Sequence, residues 1–149
     1  MTMSPKRILV ATDFSLGSDE ALARAIDLAK GTGAIVEILY VLEPELEEFP
    51  FGLSYYGGHG DVIAHIDQAL SERAGQVAEA GLICNTKMIE GVAATEIVKH
   101  ARDIGADVVV VGTHGRRGLA HVVLGSVAER VVQRSTCPVL TIPFSKNAA

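Results

Sequence analysis

A glycine-rich stretch in the last third of the chain carries the clearest pattern of residues that could bind an anion. It reads Gly-Thr-His-Gly-Arg-Arg-Gly over residues 112–118, and Gly125 and Ser126 follow a short distance later. Glycine lets backbone N–H groups approach a phosphate closely and adopts the positive φ angles that aim them. Arg116 and Arg117 add local positive charge to a chain whose formal net charge is −5. These residue types therefore indicate a phosphate-binding loop.

Gly125 and Ser126 lie where a helix begins, which offers a second way to hold the same anion. A helix N-terminus presents free N–H groups and the positive end of its dipole, and the Ser126 hydroxyl can add a hydrogen bond. Glycines after a strand are also common turn residues, so the spacing alone leaves a purely structural interpretation open. The sequence contains no GxxxxGK[ST] and no GxGxxG after its first apolar run. A P-loop and the usual dinucleotide-binding loop are therefore disfavoured.

The elements that must position this loop alternate regularly between strand and helix. Apolar runs predict strands, and stretches of helical periodicity predict helices between them. The five predicted strands cover residues 8–11, 35–41, 83–89, 108–111 and Val139–Ile142. The four helices are predicted to start at Ser15 or Ser18, near Asp61, after Gly91 and near Leu124. Glycines end the first three of them, at Gly31 and Gly33, at Gly81 and at Gly105.

This alternation predicts an α/β domain with a parallel sheet covered by helices on both faces. Right-handed crossovers leave few topologies, and we predict a doubly wound, Rossmann-like sheet of strand order 3-2-1-4-5. In that order the chain reverses direction between strands one and four, and open α/β sheets bind ligands at this switch point. The segments that leave those strands are residues 12–15 and residues 112–115. Topology thus points to the glycine loop without reference to any family.

The spacing Gly112-x2-Gly115-x9-Gly125-Ser126 resembles the nucleotide motif of the universal stress protein family. Residues 8–15, Gly91 and the Cys-Pro-Val-Leu that starts at Cys137 are similar to that family as well. The resemblance extends over residues 6–143 and implies one domain, residues 1–149, of the adenine nucleotide α-hydrolase-like type. The complete glycine motif implies the ATP-binding branch of the family.

The resemblance also implies a role for individual residues. Asp13 is expected at the ribose or base of ATP, although it could also cap the first helix. Ala11 and Val41 are expected to line the adenine pocket, with Val111 nearby; some family members have proline where this chain has Ala11. The remaining predicted contacts are Thr12, Gly112, Gly115, Arg116, Gly125, Ser126 and Val127. Mg²⁺ could accompany the phosphates with few protein ligands.

The last predicted strand, Val139–Ile142, would form an edge of the sheet. An edge strand exposes unpaired backbone groups, and pairing across a two-fold axis would bury them. The resemblance also implies a dimer through this strand, so we predict a homodimer, together with a protein partner of unspecified identity. The acidic net charge disfavours nucleic acid as a partner. The apolar runs are too short to span a membrane, and no signal-peptide pattern is present, so we predict a cytoplasmic protein.

No residue pattern resembles a set of catalytic residues, and no Cys/His cluster indicates zinc. The first hypothesis is therefore an ATP-dependent stress-response or signalling module. A slow ATPase or self-phosphorylating enzyme, using Thr113, Ser126 and Asp13, is one alternative. A partner-binding protein with a vestigial pocket is another.

Histidines and cysteines outside the glycine loop are not expected to take part in the site. The four scattered histidines are predicted to lie on the solvated surface: His59, His65, His100 and His121. Cys84 and Cys137 fall near opposite edges of the predicted sheet, which disfavours a disulfide between them.

Overall fold

The computed structural model describes residues 4–43, 59–114 and 124–144. In these ranges strands and helices alternate as the sequence predicts. Their order is β1 (Arg7–Thr12), α1 (Leu16–Thr32), β2 (Ile35–Leu42), α2 (His59–Glu79), β3 (Cys84–Glu90), α3 (Ala93–Ile104), β4 (Val108–Gly112), α4 (Ser126–Arg134) and β5 (Val139–Ile142). Differences from the prediction are confined to element ends. Helix α2 begins at His59 rather than near Asp61, Leu124 precedes α4, and Gly31 lies inside α1.

The strands form one parallel sheet of order β3-β2-β1-β4-β5, which confirms the predicted topology. Strand β1 is central. It pairs with β2 from Arg7↔Ile35 to Thr12↔Tyr40, and with β4 from Ile8↔Val108 to Val10↔Val110. The switch point therefore lies between the carboxyl ends of β1 and β4.

The opposite end of β1 is tied to the start of β4 by a side chain. One carboxylate oxygen of Asp107 accepts hydrogen bonds from the backbone N–H groups of Lys6 and Arg7, at 2.8 and 3.0 Å. Arg7 in turn accepts a backbone bond from Asp107 at 2.9 Å. These contacts set the register of the two central strands before the ladder begins.

Alternate residues of the sheet enter two apolar layers. Ile8 and Val10 pack with α1 and α2 on one face, whereas Leu9 and Val109 pack with α3 and α4 on the other. Both layers are fully enclosed at the centre, which explains why the central strands are almost continuously apolar. None of the helices in the described ranges is long and apolar enough to cross a membrane.

Two glycines and a serine account for the ends of the first and third helices. The Ser15 hydroxyl caps α1 by accepting a hydrogen bond from the Ser18 N–H at 3.2 Å, so Ser15 is the cap among the two predicted. Helices α1 and α3 stop at Gly33 and Gly105, whose φ angles of 72° and 67° are left-handed. Glycine adopts this conformation without the steric penalty of a Cβ.

One prediction about the histidines is wrong, because His100 is buried rather than solvated. Its Nε2 lies 2.6 Å from Oε1 of Glu37, a buried residue of β2, and the Arg7 guanidinium lies 3.8 Å from the other Glu37 oxygen. His100 lies on the apolar face of α3 with Ile97 and Ala101, where a polar residue needs a buried partner. His65 is exposed as predicted, while the side chain of His59 and all of His121 lie outside the described residues.

Both cysteines are free, on strands or turns at opposite edges of the sheet. Burial and, to a smaller extent, the carboxylate of Glu37 raise the pKa of the Cys84 thiol to about 11. Cys84 is therefore held as a neutral thiol at physiological pH.

Candidate functional site

The apolar residues predicted to line an adenine pocket lie on one side of the sheet. Ala11, Val41 and Val111 come from the carboxyl ends of β1, β2 and β4, and all three belong to the apolar layer shared with α3 and α4. Val111 is buried, while Ala11 and Val41 are partly exposed. The topology therefore brings three residues from distant parts of the chain to one half-open apolar surface.

The turn after β1 is organised by its own polar side chains. Asp13 Oδ1 accepts hydrogen bonds from the Ser15 N–H at 3.0 Å and from the Ser15 hydroxyl. The Thr12 hydroxyl accepts from the Phe14 N–H at 3.0 Å and contacts the Ser18 hydroxyl at 3.1 Å. Thr12 thus points into the start of α1, and Asp13 orients the residue that caps that helix. The carboxylate of Asp13 is held in place before any ligand is considered.

Phe14, between these residues, has a left-handed backbone with φ of 64°. Its ring stacks on Tyr40 of β2, with centroids 4.6 Å apart and planes inclined by 7°. The guanidinium of Arg73, on α2, lies 4.7 Å from the centre of the same ring. Sequence reasoning did not find this contact, because Phe14 and Arg73 are far apart in the chain and neither belongs to a recognisable motif.

Close backbone approach explains the glycine at the end of β4. A Cβ at Gly112 would lie 3.0 Å from the carbonyl oxygen of Gly17 in α1. On the other side of this approach, a Cβ at Gly17 would lie 2.6 Å from the carbonyl oxygen of His114. Packing therefore favours glycine at position 112, whatever its part in ligand binding. Gly17 was missed by sequence reasoning, although a glycine in the first turn of a helix is a usable signal of close contact.

Gly125 joins the start of α4 to the end of β4. Its N–H donates to the Thr113 carbonyl at 2.6 Å, and a Cβ at this position would lie 2.8 Å from that oxygen. Ser126 and Val127 follow as the first residues of α4. Although residues 115–123 lie outside the described ranges, this contact brings Gly112, Gly125 and Ser126 to the same end of the sheet.

The N-termini of α1, α3 and α4 lie at this edge together with that of α2, and these three differ in what accepts hydrogen bonds from their first N–H groups. Ser15 caps α1, and the Ala93 N–H at the start of α3 donates to the Glu43 carboxylate at 2.5 Å. Helix α4 starts at Ser126 after the N-cap residue Gly125, and within the described ranges no side chain caps it. Since the first N–H groups of a helix need an acceptor, α4 is, of these three termini, the one best suited to an external anion.

The predicted site residues thus fall into two groups. The structure brings most of them to the carboxyl ends of β1, β2 and β4 and to the start of α4: Ala11, Thr12, Asp13, Val41, Val111, Gly112, Gly125, Ser126 and Val127. The Thr12 hydroxyl is occupied within its own turn. Gly115 and Arg116 lie outside the described residues.

Fold and site together define a doubly wound, Rossmann-like α/β protein with an open edge at its switch point. A sequence profile of the universal stress protein family matches residues 5–143. The chain belongs to the universal stress protein family.

Similar proteins include archaeal and bacterial members of that family. Universal stress protein MJ0531 of Methanocaldococcus jannaschii is 38% identical over 147 residues, which cover 95% of this chain and 84% of that protein. Universal stress protein YxiE of Bacillus subtilis is 35% identical over 144 residues, covering 91% and 97% of the two chains.

Solved structures agree with this assignment. The structure of MJ0577 of M. jannaschii superposes with a TM-score of 0.85 at 26% identity, covering 97% of this chain and all 100% of the other. A universal stress protein in complex with cAMP has a TM-score of 0.73 at 28% identity, with 96% and 100% covered. The same sheet and helices therefore occur in a relative that holds an adenine nucleotide.

Proposed function

We propose that this universal stress protein binds ATP at the carboxyl edge of its sheet and acts as a nucleotide-dependent stress-response module in the cytoplasm. The observation that carries the proposal is the junction of β4 and α4. There Gly125 fixes a helix N-terminus that no side chain of the described residues caps, beside the turn that carries Asp13. The relative in complex with cAMP supports an adenine nucleotide as the ligand class.

The residues present fit an adenine nucleotide in chemical terms. The half-open apolar surface of Ala11, Val41 and Val111 suits a purine ring, because it lets the base leave water without facing buried charge. The Asp13 carboxylate can accept hydrogen bonds from ribose hydroxyls. The first N–H groups of α4, at Ser126 and Val127, can donate to phosphate oxygens, and the helix dipole favours their negative charge.

Mg²⁺ would neutralise part of the triphosphate charge while keeping most of its water ligands, as this ion usually does. The described residues offer no group of three or more acidic, histidine or cysteine side chains placed to bind a metal. We therefore assign the ion, where it binds, to the nucleotide rather than to a protein cage.

The second part of the proposal concerns the edge strand β5, which pairs with β4 on one side. Leu140 on this strand remains 40% exposed, and Val132 on the adjacent α4 is also exposed. Pairing of β5 with a second copy across a two-fold axis would cover these apolar groups and satisfy the strand's outer backbone. We propose a homodimer built in this way, with the nucleotide altering the dimer or its protein partner.

The direct test is to denature freshly purified protein and identify any released nucleotide by mass spectrometry, then titrate nucleotide-free protein with ATP by calorimetry. We expect an adenine nucleotide in the first experiment and saturable binding near one site per chain in the second. GTP serves as the control for base recognition. Phosphate release in the same samples separates binding from turnover. Absence of heat with ATP, AMP and cAMP would overturn the proposal.

A further inference from the structure

Phe14 occupies a backbone conformation that its side chain disfavours. Among the described residues it alone combines a side chain with a positive φ, at 64°. Residues that carry a Cβ adopt this region rarely, and such conformations persist only where the surroundings enforce them. Phe14 lies directly after Asp13, so the contacts that enforce its conformation also bear on the proposed ligand site.

The ring of Phe14 is held from two other elements. Tyr40, which is almost fully buried in β2, stacks on it at 4.6 Å. Arg73 of α2 places its guanidinium carbon 4.7 Å from the ring centre, within the range of a cation–π contact. The Phe14 N–H is bonded to the Thr12 hydroxyl at 3.0 Å. The ring and the backbone are thus fixed together.

Arg73 is itself fixed in place and does not move freely at the surface. Its Nε and Nη2 donate to the two carboxylate oxygens of Asp19 at 2.8 and 3.2 Å, and Nη1 donates to the Ala69 carbonyl at 3.1 Å. Its side chain is only 13% exposed. A two-point pair of this kind fixes the plane of the guanidinium as well as its position. Helix α2 is therefore joined to the first turn of α1 directly over Phe14.

We propose that Arg73 is a positioning residue for the nucleotide site, which acts through Phe14 on the carboxylate of Asp13. Without the guanidinium, Phe14 can relax towards negative φ, and this rotation turns the peptide group between Phe14 and Ser15. The hydrogen bond from the Ser15 N–H to Asp13, 3.0 Å in the structure, is then lost or weakened. This inference extends the proposed function and rests on it for the identity of the ligand, ATP. It adds α2, which supplies none of the predicted contacts, to the elements that set affinity.

The first test compares Arg73→Met with Arg24→Met. Methionine keeps a long side chain without the charge, and Arg24 is an exposed arginine of α1 that serves as the matched control. Arg73→Met is expected to weaken ATP binding roughly fivefold to tenfold, while Arg24→Met leaves it unchanged. Amide exchange at Phe14 and Ser15 should accelerate in Arg73→Met without ATP, while exchange within β1 stays as in the unchanged protein.

The second test uses Phe14→Gly, since glycine accepts the left-handed conformation and has no ring for Arg73 to contact. In this background Arg73→Met should have no further effect on affinity. An equal loss of affinity in both backgrounds would show that Arg73 does not act through Phe14 and would overturn the inference. Unchanged exchange at Phe14 and Ser15 in Arg73→Met would overturn it as well. That readout needs no ligand, so it decides the inference even if ATP fails to bind and the proposed function is lost.

Discussion

The backbone of Gly17 lies against the carbonyl oxygen of His114, so closely that a Cβ at position 17 would stand 2.6 Å from that oxygen. Gly17 is buried in the first turn of α1, and His114 follows the end of β4. Gly112 completes the contact, with its own added Cβ 3.0 Å from the Gly17 carbonyl. The two segments that flank the switch point therefore touch backbone to backbone.

Replacing Gly17 with alanine should destabilise the protein by about 1–3 kcal/mol, because the methyl group forces α1 and β4 apart. Gly31→Ala in the same helix is the control, since nothing lies within 4 Å of a Cβ there. That change should stabilise the fold by about 0.5–1 kcal/mol through helix propensity. Urea unfolding followed by circular dichroism measures both. Effects of the same sign at the two positions would contradict the contact described.

Ser126→Asp should weaken ATP binding at least tenfold while leaving the fold as stable as before or slightly more so. A carboxylate in the first turn of α4 interacts favourably with the helix dipole, and it competes with phosphate for the same N–H groups. Ser71→Asp, at an exposed position of α2, adds the same charge away from this edge and should not alter affinity. Calorimetry and thermal melts report the two effects separately. Equal affinities for the two variants would argue against phosphate binding at α4.

Replacing either His100 or Glu37 with alanine should lower the free energy of unfolding by about 3 kcal/mol, because each change leaves a buried polar partner without its closest contact. The double variant should lose less than the sum of the two, with a coupling of roughly 1–3 kcal/mol. In the His100 variant the Arg7 guanidinium, 3.8 Å from Glu37, will still partly neutralise the Glu37 carboxylate and so reduce the loss of stability. His65→Ala, an exposed control, should change stability by less than about 0.5 kcal/mol. Strictly additive losses would mean that the pair is not coupled.

Cys84 should react slowly with iodoacetamide until the pH is high, since its thiol pKa is raised to about 11. In folded Cys137→Ser protein at pH 8, ionisation alone should make alkylation of Cys84 about 100-fold slower than in the unfolded chain. The rate should rise about tenfold per pH unit up to that pKa. Because the unfolded thiol loses its proton first, folding stability should decrease between about pH 9 and 11. A rate that levels off near pH 9 would contradict this.

Leu140→Lys should convert the proposed dimer into a folded monomer, because a charge in the centre of β5 opposes pairing with a second copy. Ile83→Lys is the matched control: Ile83 is an apolar residue, 66% exposed, beside the opposite edge strand. Light scattering at micromolar concentration should give a dimer mass for the unchanged protein and for the Ile83 variant. A monomer mass for the unchanged protein would refute the dimer, and equal dissociation of both variants would refute its assignment to β5.

Much of this architecture was predictable because its signals are local. Continuous apolar runs such as residues 108–111 mark buried parallel strands, and glycines such as Gly33 and Gly105 mark helix ends. Handedness and strand order then place the carboxyl ends of β1 and β4 side by side. Asp13 and Gly125 were therefore located at the same edge from sequence alone.

The remaining features depend on contacts between elements that no local pattern pairs. Periodicity identifies the apolar face of α3, but it does not reveal that His100 meets Glu37, 63 residues away. Nor does any local pattern reveal that Glu43 accepts a hydrogen bond at the start of α3, or that Arg73 lies over the ring of Phe14. Glu37, a single acid within the apolar run of β2, is the one clear hint that a buried partner had to exist.

The bonds from Lys6 and Arg7 to Asp107 have a consequence for how the molecule is made. Strand β1 leaves the ribosome 100 residues ahead of the aspartate that fixes its register with β4. At roughly 5–20 residues per second, the first strand waits on the order of 5–20 s for this neighbour. During that time β2 and the helices α1, α2 and α3, which all precede Asp107 in the chain, can cover β1, but its edge towards β4 stays unpaired. The nascent chain thus carries an unpaired apolar strand edge until β4 emerges, and this interval is when chaperone capture or misassembly would act on it.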